Sequence, residues 1–308
     1  MALSVEQEIV DGLRDVPKRI ASKFLYDERG SALFDLICDL PEYYPTRTES
    51  SIMAESSAEM VDCIGQGSVL IELGSGSSTK TRALLDRATA LAAYVPVDIS
   101  AEHLSMSAQQ LRREYPKLNV EPVAADYTRP IRLPDTVPSD ARRVVYFPGS
   151  TFGNFLPDEG VTFLRQIRDL IGPEGGLLIG LDWRKDTARL EAAYNDSQGV
   201  TAEFNLNILT NLNRLAGADF VEQNFEHYAF FNELESRIEI YVVSKCDHAV
   251  HIADEEFVIE ADEAILTEVS YKYRPEDFLA LAAQAGFSVR RSWSDRERLF
   301  GILFLTAT

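Results

Sequence analysis

Basic residues are scarce in this sequence. Its 308 residues include 30 lysines and arginines against 49 aspartates and glutamates, a formal charge of −19. A chain this acidic repels phosphate backbones, which argues against a nucleic-acid substrate. Cysteine is scarcer still. Cys38, Cys63 and Cys246 are scattered and odd in number, so they suggest reduced thiols in a cytoplasmic protein and argue against a disulfide framework. The histidines His103, His227, His248 and His251 have no cluster of further ligands beside them. His248 and His251 read as an exposed loop, so no metal is expected. No apolar run is long enough to cross a bilayer, and no membrane partner is expected. The opening MALSVEQEIVDGL carries acids where a secretion signal carries bases. There is no repeat or low-complexity tract, and LPEYYP, LPDTVP and IGPEGG read as turns between packed elements. What remains is an ordinary globular composition, 45% hydrophobic and 26% charged, long enough for one large domain or two smaller ones.

Against that background one stretch stands out. Val69 to Leu73 is a short apolar run rich in β-branched residues, which reads as a buried strand. Gly74, Ser75, Gly76, Ser77 and Ser78 follow, where a backbone without bulky side chains can approach a ligand closely. TKTRALLDRA then opens a helix, and a second strand, Ala92 to Val97, ends in Asp98. An acid roughly 20 residues beyond such glycines reaches the two ribose hydroxyls of a nucleoside in an open α/β sheet. A third candidate strand, NVEPVAADY, ends in the acid–aromatic pair Asp126-Tyr127. These residues imply a nucleoside-containing cofactor.

The coarse pattern supports such a sheet. Helices are expected over 1–20, around Ser31 to Cys38, and from about Thr48 to Ile64. Strand 68–73, helix 79–90, strand 92–98, helix 101–114, strand 119–124, strand 143–148, helix 158–171 and strand 176–183 then alternate. Such alternation implies an α/β fold, a parallel sheet wound on both sides. From about Lys185 to Lys272 the pattern changes to a helix followed by antiparallel-looking strands, before PEDFLALAAQAG, SVRRSWSD and LFGILFLTA restore it. Residues 49–184 with 273–308 are thus expected to form the cofactor domain. Residues 1–48 with 185–272 are expected to form a second, α+β lobe that covers the sheet's carboxyl edge and shapes the substrate pocket.

The sequence E-x-G-x-G, with Glu72 inside the strand, resembles the first motif of the class I methyltransferases, which bind S-adenosylmethionine (SAM); Ser78 stands where many members carry a third glycine. FLYDERGSALFDLICDLPEYYPTRTE, FPGSTFGNF, DWRKDTARLEAAYND, GVTAEFNLN and LTEVSYKYRPE resemble the histidine methyltransferases of ergothioneine biosynthesis along nearly the whole chain. The resemblance implies a Rossmann-like methyltransferase sheet and a monomeric, metal-free enzyme that trimethylates the α-amino group of L-histidine to hercynine. On the cofactor side it implies Gly74, Lys80, Asp98 as the ribose acid, and Asp126 with Tyr127 at the adenine. On the substrate side it implies Tyr43 at the imidazole, Asn154 and Tyr194 at the amine and carboxylate with Gly149 backbone beside them, and Glu268 and Ser270 at the other ring nitrogen. Tyr26 and Phe34 match aromatics around the amine and the transferred methyl. Tyr26 and Asn154 are the residues closest to the chemistry. Ile240 departs from the pattern, falling where a methionine lines the imidazole pocket.

Taken singly, these features have plainer readings. LTEVSYKY alone is an edge strand with alternating faces, GSTFGN a turn chosen for its glycines, and Lys80 a solvated first-turn residue. Their occurrence together, in order, favours the enzyme. The chemistry is coherent as well. A neutral imidazole presents one donor and one acceptor, which a carboxylate with serine and tyrosine hydroxyls can satisfy. An indole would leave Glu268 buried and unpaired. Two other readings remain: an N-methyltransferase of another aromatic amino acid such as tryptophan, and a SAM-binding regulatory protein without catalysis.

Overall fold

The computed structural model describes residues 4–76, 78 and 80–308. Ser77 and Thr79, both in the expected cofactor turn and its helix, lie outside the described residues. Among the described residues the strands are β1 (Val69–Leu73), β2 (Ala93–Asp98), β3 (Val123–Ala124), β4 (Arg143–Phe147), β5 (Gly176–Asp182), β6 (Phe225–Asn232), β7 (Arg237–Ser244), β8 (His248–Ile252), β9 (Glu255–Ile259), β10 (Ala264–Tyr271), β11 (Phe287–Ser294) and β12 (Phe300–Ala307). The chain divides into two compact units. One takes the chain through Tyr44 and then Lys185–Tyr271; the other takes Pro45–Arg184 and Lys272–Thr308.

The second of these units is built on a seven-stranded sheet in the order β3-β2-β1-β4-β5-β12-β11. β1 to β5 run parallel, while β12 is antiparallel to both β5 and β11. The five residues of β1 are all buried, as are the seven of β5, which is why these strands read as unbroken apolar runs. On one face Met53, Met60, Leu84, Tyr94, Leu111, Tyr146 and Phe304 share a core. On the other, Phe147, Phe152, Phe155 and Phe163 pack ring to ring, with Phe155 stacked on Phe163 at 4.6 Å. This is the doubly wound α/β architecture that the alternation of elements implies, with the antiparallel last strand of a class I methyltransferase.

Two expected elements are shorter than the sequence suggests. The helix expected over 79–90 is helical only at Arg82–Leu85. Thr81, at its cap position, gives its hydroxyl to Glu72 and not to the helix amides, and the chain is soon drawn back by Gly67 N to Ala90 O (2.7 Å) and Ala92 N to Ser68 O (2.9 Å). The strand expected over 119–124 pairs regularly only at Val123–Ala124. Pro122 has no amide hydrogen to donate, so the ladder breaks there after Glu121 N bonds Tyr94 O.

The first-named unit joins the N-terminal segment to the insertion. Its three-stranded antiparallel sheet runs β10-β7-β6, and β8 and β9 form a separate hairpin. Residues near Arg19 add to the edge of β10: Ile20 N donates to Leu266 O (2.8 Å), and Leu266 N to Lys18 O (3.0 Å). Helix Glu28–Asp39 starts at Asp27, whose Oδ1 accepts from Gly30 N and from the Asn207 amide, each at 2.8 Å. Helix Val200–Ala216 starts with Asp196 accepting the amides of Val200 (3.0 Å) and Thr201 (2.7 Å).

Candidate active site

The cofactor edge lies where the loops after β1 and β4 diverge, the crevice in which open α/β sheets bind ligands. Gly74 (φ +67°) and Gly76 (φ +47°) turn the chain there in conformations that favour glycine. Gly74 N and Ser75 N both bond Val97 O, at 2.9 and 3.1 Å, so the turn is tied to β2. Asp98 closes the arrangement. Its Oδ2 accepts from Gly76 N (3.0 Å) and its Oδ1 from Ser100 N (2.9 Å), which fixes the carboxylate at the loop. Each carboxylate oxygen has a second lone pair with which to take a diol hydroxyl. The Tyr127 ring lies 3.6 Å from where a Cβ on Gly74 would stand, and it packs on Phe147 and Phe163 at 5.5 and 6.2 Å. Asp126 Oδ1 accepts the Thr128 amide (3.0 Å), fixing the acid before that ring.

The acid of E-x-G-x-G is buried beneath this loop. Glu72 accepts from the Thr81 hydroxyl at 2.5 Å and from the Tyr94 hydroxyl, and Tyr94 in turn meets Ser78 Oγ at 3.1 Å. Burial pushes the Glu72 carboxyl up to about 7, against the two hydroxyl donors. Ser78 has φ +52°, which shows why a glycine suits that position; its contact with Tyr94 and its amide bond to Ser75 O (2.7 Å) hold the serine there.

A second buried acid joins the two loops. Glu49, 0% exposed, holds Lys80 Nζ at 2.5 Å and accepts the Gly149 amide at 3.0 and 3.1 Å. Lys80 is therefore an ion-paired side chain and not a solvated one. The Gly149 amide is spent on Glu49, so the backbone group Gly149 can offer a ligand is its carbonyl. Ser150 (φ +60°) accepts the Asp182 amide at 2.9 Å, and Asp182 pairs with the buried Lys272 at 3.0 Å. Asn154 ends the short turn Thr151–Asn154 that follows.

The other unit gathers the aromatic and hydroxyl side chains. Tyr26 meets Phe34 and Phe204 edge-on, with centroids 5.6 and 5.5 Å away. Phe34 meets Tyr43 at 6.2 Å, and Tyr43 meets Tyr194 at 6.3 Å. Tyr194 OH lies 3.1 Å from Ser270 Oγ. Burial, and then the neighbouring Tyr194, Cys38, Tyr26 and Glu268, push the Tyr43 phenol well above the ordinary tyrosine value, so it is a neutral donor. Ile240 is buried on β7 directly opposite Glu268 of β10, and a register shift at Thr267 precedes Glu268.

Residues 5–307 match the family described as histidine-specific methyltransferase, SAM-dependent. The chain belongs to this family. It is 41% identical over 306 residues to the histidine N-alpha-methyltransferase of Mycolicibacterium smegmatis, covering 98% of this chain and 94% of that one. Identity to the histidine N-alpha-methyltransferase of Mycobacterium tuberculosis is 39% over 305 residues, covering 97% and 94%. Ergothioneine biosynthesis protein 1 of Neurospora crassa is 31% identical over 303 residues, 95% of this chain and 34% of that one.

The cofactor of this family, SAM, fits the residues present: a fixed carboxylate for a ribose, a glycine turn that admits close approach, an aromatic ring beside it, and a cation held in place. Within the cofactor unit, the sequence motifs Gly74, Asp98 and Tyr127 stand together, as do Lys80 and Gly149. Within the other, Tyr26, Phe34, Tyr43, Tyr194 and Ser270 form one continuous chain of contacts. Sequence reasoning missed Glu49, Phe204 and the Asp182–Lys272 pair. The signal in each case was a motif already noted: Glu49 ends PEYYPTRTE, Asp182 opens DWRKDTARLEAAYND, Lys272 lies in LTEVSYKYRPE, and the phenylalanine of GVTAEFNLN faces Tyr26 and Phe34.

Proposed function

We propose that this methyltransferase transfers three methyl groups from SAM to the α-amine of L-histidine, giving hercynine, the first intermediate of ergothioneine synthesis. The observation that carries this reading is the match along nearly the whole chain to a histidine-specific family, substrate-side motifs included. The Tyr43, Tyr194 and Ser270 hydroxyls in one unit support it, because together they suit a polar amino-acid backbone that carries a ring with two polar nitrogens. In this reading Tyr43, Glu268 and Ser270 read the imidazole, with Ile240 lining it. Tyr194, Asn154 and the Gly149 carbonyl hold the amino-acid backbone, and Gly74, Lys80, Asp98, Asp126 and Tyr127 hold the cofactor. Bound SAM supplies a methyl group on a positively charged sulfur.

The chain's own residues have modest chemical work to do. The nucleophile is an amine, which attacks only when neutral. The α-amine of a free amino acid is mostly protonated near pH 7, so the site works on its small neutral fraction and gains rate by holding that form in line with the methyl. Asn154 and Tyr194 orient the nitrogen, which is where most of the rate is gained. Tyr26, Phe34 and Phe204 present ring faces and edges to a nitrogen that gains carbons and ends as a permanent cation; Tyr26 is the face that stabilises it. The dispersed cysteines, all free, fit a cytoplasmic enzyme, and we propose that it acts there as a monomer without a metal.

The test is mass spectrometry after incubation with SAM and each of the twenty amino acids. A gain of three methyl groups on histidine alone is expected. Methylation of tryptophan in preference to histidine, or SAM binding with no product from any amino acid, would overturn the assignment.

A further inference from the structure

One buried polar cluster in the unit that carries Tyr194 and Glu268 is used by none of the roles above. Asn205, 1% exposed on helix Val200–Ala216, commits both amide hydrogens and its amide oxygen. Its nitrogen donates to Tyr241 O at 2.8 Å and lies 3.0 Å from His227 Nδ1. Its oxygen accepts from Thr267 Oγ1 at 2.6 Å. The Tyr241 carbonyl fixes which end of the amide faces it, so the nitrogen is also the atom that faces His227. Nδ1 is then an acceptor, Nε2 carries the hydrogen, and Nε2 donates to Tyr194 O at 3.0 Å. Thr267 is the residue at which β10 slips register against β7, between Leu266 and Glu268. Such a bulge re-aims the side chain that follows it.

We propose that Thr267, Asn205 and His227 are positioning residues that hold the histidine-binding side chains in register. The cluster pins two arms of the substrate-binding set, one reading the imidazole and one holding the amino-acid backbone, to one helix residue. One arm is β10, held at its bulge by Thr267, which fixes Glu268 and, two residues on, Ser270. The other is Tyr194, held by its own carbonyl through His227. Tyr194 OH and Ser270 Oγ meet at 3.1 Å, so the arms must stay in register for the hydroxyl pair to form. Every hydrogen-bonding group of Asn205 is spent, and a buried group left unpaired is costly, so the cluster favours a single arrangement. This role rests on the histidine reading given above.

The experiment is steady-state kinetics on the full chain, with Thr267→Val, which deletes one hydroxyl at nearly constant shape, Asn205→Ala, and Thr267→Ser as the conservative variant. KM for histidine should rise roughly tenfold in Thr267→Val, the size of one lost buried hydrogen bond, while kcat and SAM affinity stay within about twofold. Thr267→Ser should restore the parent KM. Thr267→Val is the milder lesion, so a failure of Asn205→Ala to fold leaves the test intact. A folded Thr267→Val with unchanged histidine KM overturns the positioning role. So does a parallel loss of kcat and SAM affinity, which would mark general loosening. A parent enzyme that leaves histidine unmethylated overturns the histidine reading itself and this role with it, an outcome distinct from the other two.

Discussion

At the scale of single residues, two carboxylates, Glu72 buried and Glu268 half-buried, do different work. Glu72 is a support. Its folded-state pKa of about 7 stands above its ordinary value of 4.5, so between those pH values the native chain holds a proton that the unfolded chain releases. The stability it contributes is therefore full below about pH 4.5 and is lost as the pH rises through 7, a change on the order of 3 kcal/mol. Glu72→Gln should flatten that slope, since the neutral amide has nothing to ionise and the Tyr94 hydroxyl can turn to Ser78. Denaturant unfolding at pH 5 and pH 8 measures this, and a variant as pH-sensitive as the parent would refute the argument. Glu268 is assigned a reading role. Glu268→Ala should reduce histidine kcat/KM by about 1.5–3 kcal/mol, the worth of a hydrogen bond to a charged group. It should also relax discrimination against tryptophan, because the unpaired-acid penalty disappears. An unchanged histidine-to-tryptophan ratio would return Glu268 to an ordinary strand residue.

At the scale of elements, the sheet was legible because its central strands are buried on both faces and its helices recur between them. Val69 to Leu73, with glycines after it, and Gly176 to Asp182, with glycines before it, read as buried strands. Helix Ala101–Glu114 runs as its pattern implies. Two elements fell short of their pattern, each for its own reason. Thr81 looks like a helix residue, yet its hydroxyl belongs to Glu72. The segment before Asp126 looks like a strand, yet Pro122 interrupts its ladder. Glu49 ends the motif PEYYPTRTE, but its role was not legible because its partners Lys80 and Gly149 lie 31 and 100 residues away. The fit around it is tight. A Cβ on Gly180 would stand 2.3 Å from Glu49 Oε1 and 3.0 Å from the Phe300 ring. Gly180→Ala should therefore displace the carboxylate, free Lys80 and the Gly149 loop, and weaken SAM binding along with stability. Calorimetric SAM affinity equal to the parent's would show that Glu49 does not set the cofactor loops.

At the scale of the whole molecule, the chain assigns its chemistry to two units that interleave along the sequence. The cofactor set, from Gly74 to Tyr127, belongs to the unit built on the seven-stranded sheet. Tyr26, Phe34, Tyr43, Tyr194, Ile240, Glu268 and Ser270 belong to the other, although they span residues 26 to 270, while Asn154 and Gly149, also assigned to the substrate, belong to the same unit as the cofactor set. The break in pattern near Lys185 and its end near Lys272 were readable as a change from alternating strands and helices to a run of antiparallel strands. The N-terminal segment was expected with that insertion because both carry residues assigned to the substrate; what the sequence does not show is the backbone pairing within the unit, such as Ile20 N to Leu266 O, which carries no local signal. This division makes the two ligand assignments separately observable by hydrogen exchange. S-adenosylhomocysteine alone should slow exchange in peptides ending β1 and β2, where Gly74, Gly76 and Asp98 lie. Its binding stabilises the state it selects by about 2.7 kcal/mol at one hundred times Kd. Histidine added afterwards should slow exchange at Tyr194 and along Glu268 to Ser270 in β10, a different set of peptides. The order matters to the inference. Protection of β10 by S-adenosylhomocysteine alone would place cofactor contacts in the unit assigned to the substrate. Histidine that protects neither Tyr194 nor β10, at concentrations that support turnover, would remove the imidazole-reading set from that unit altogether.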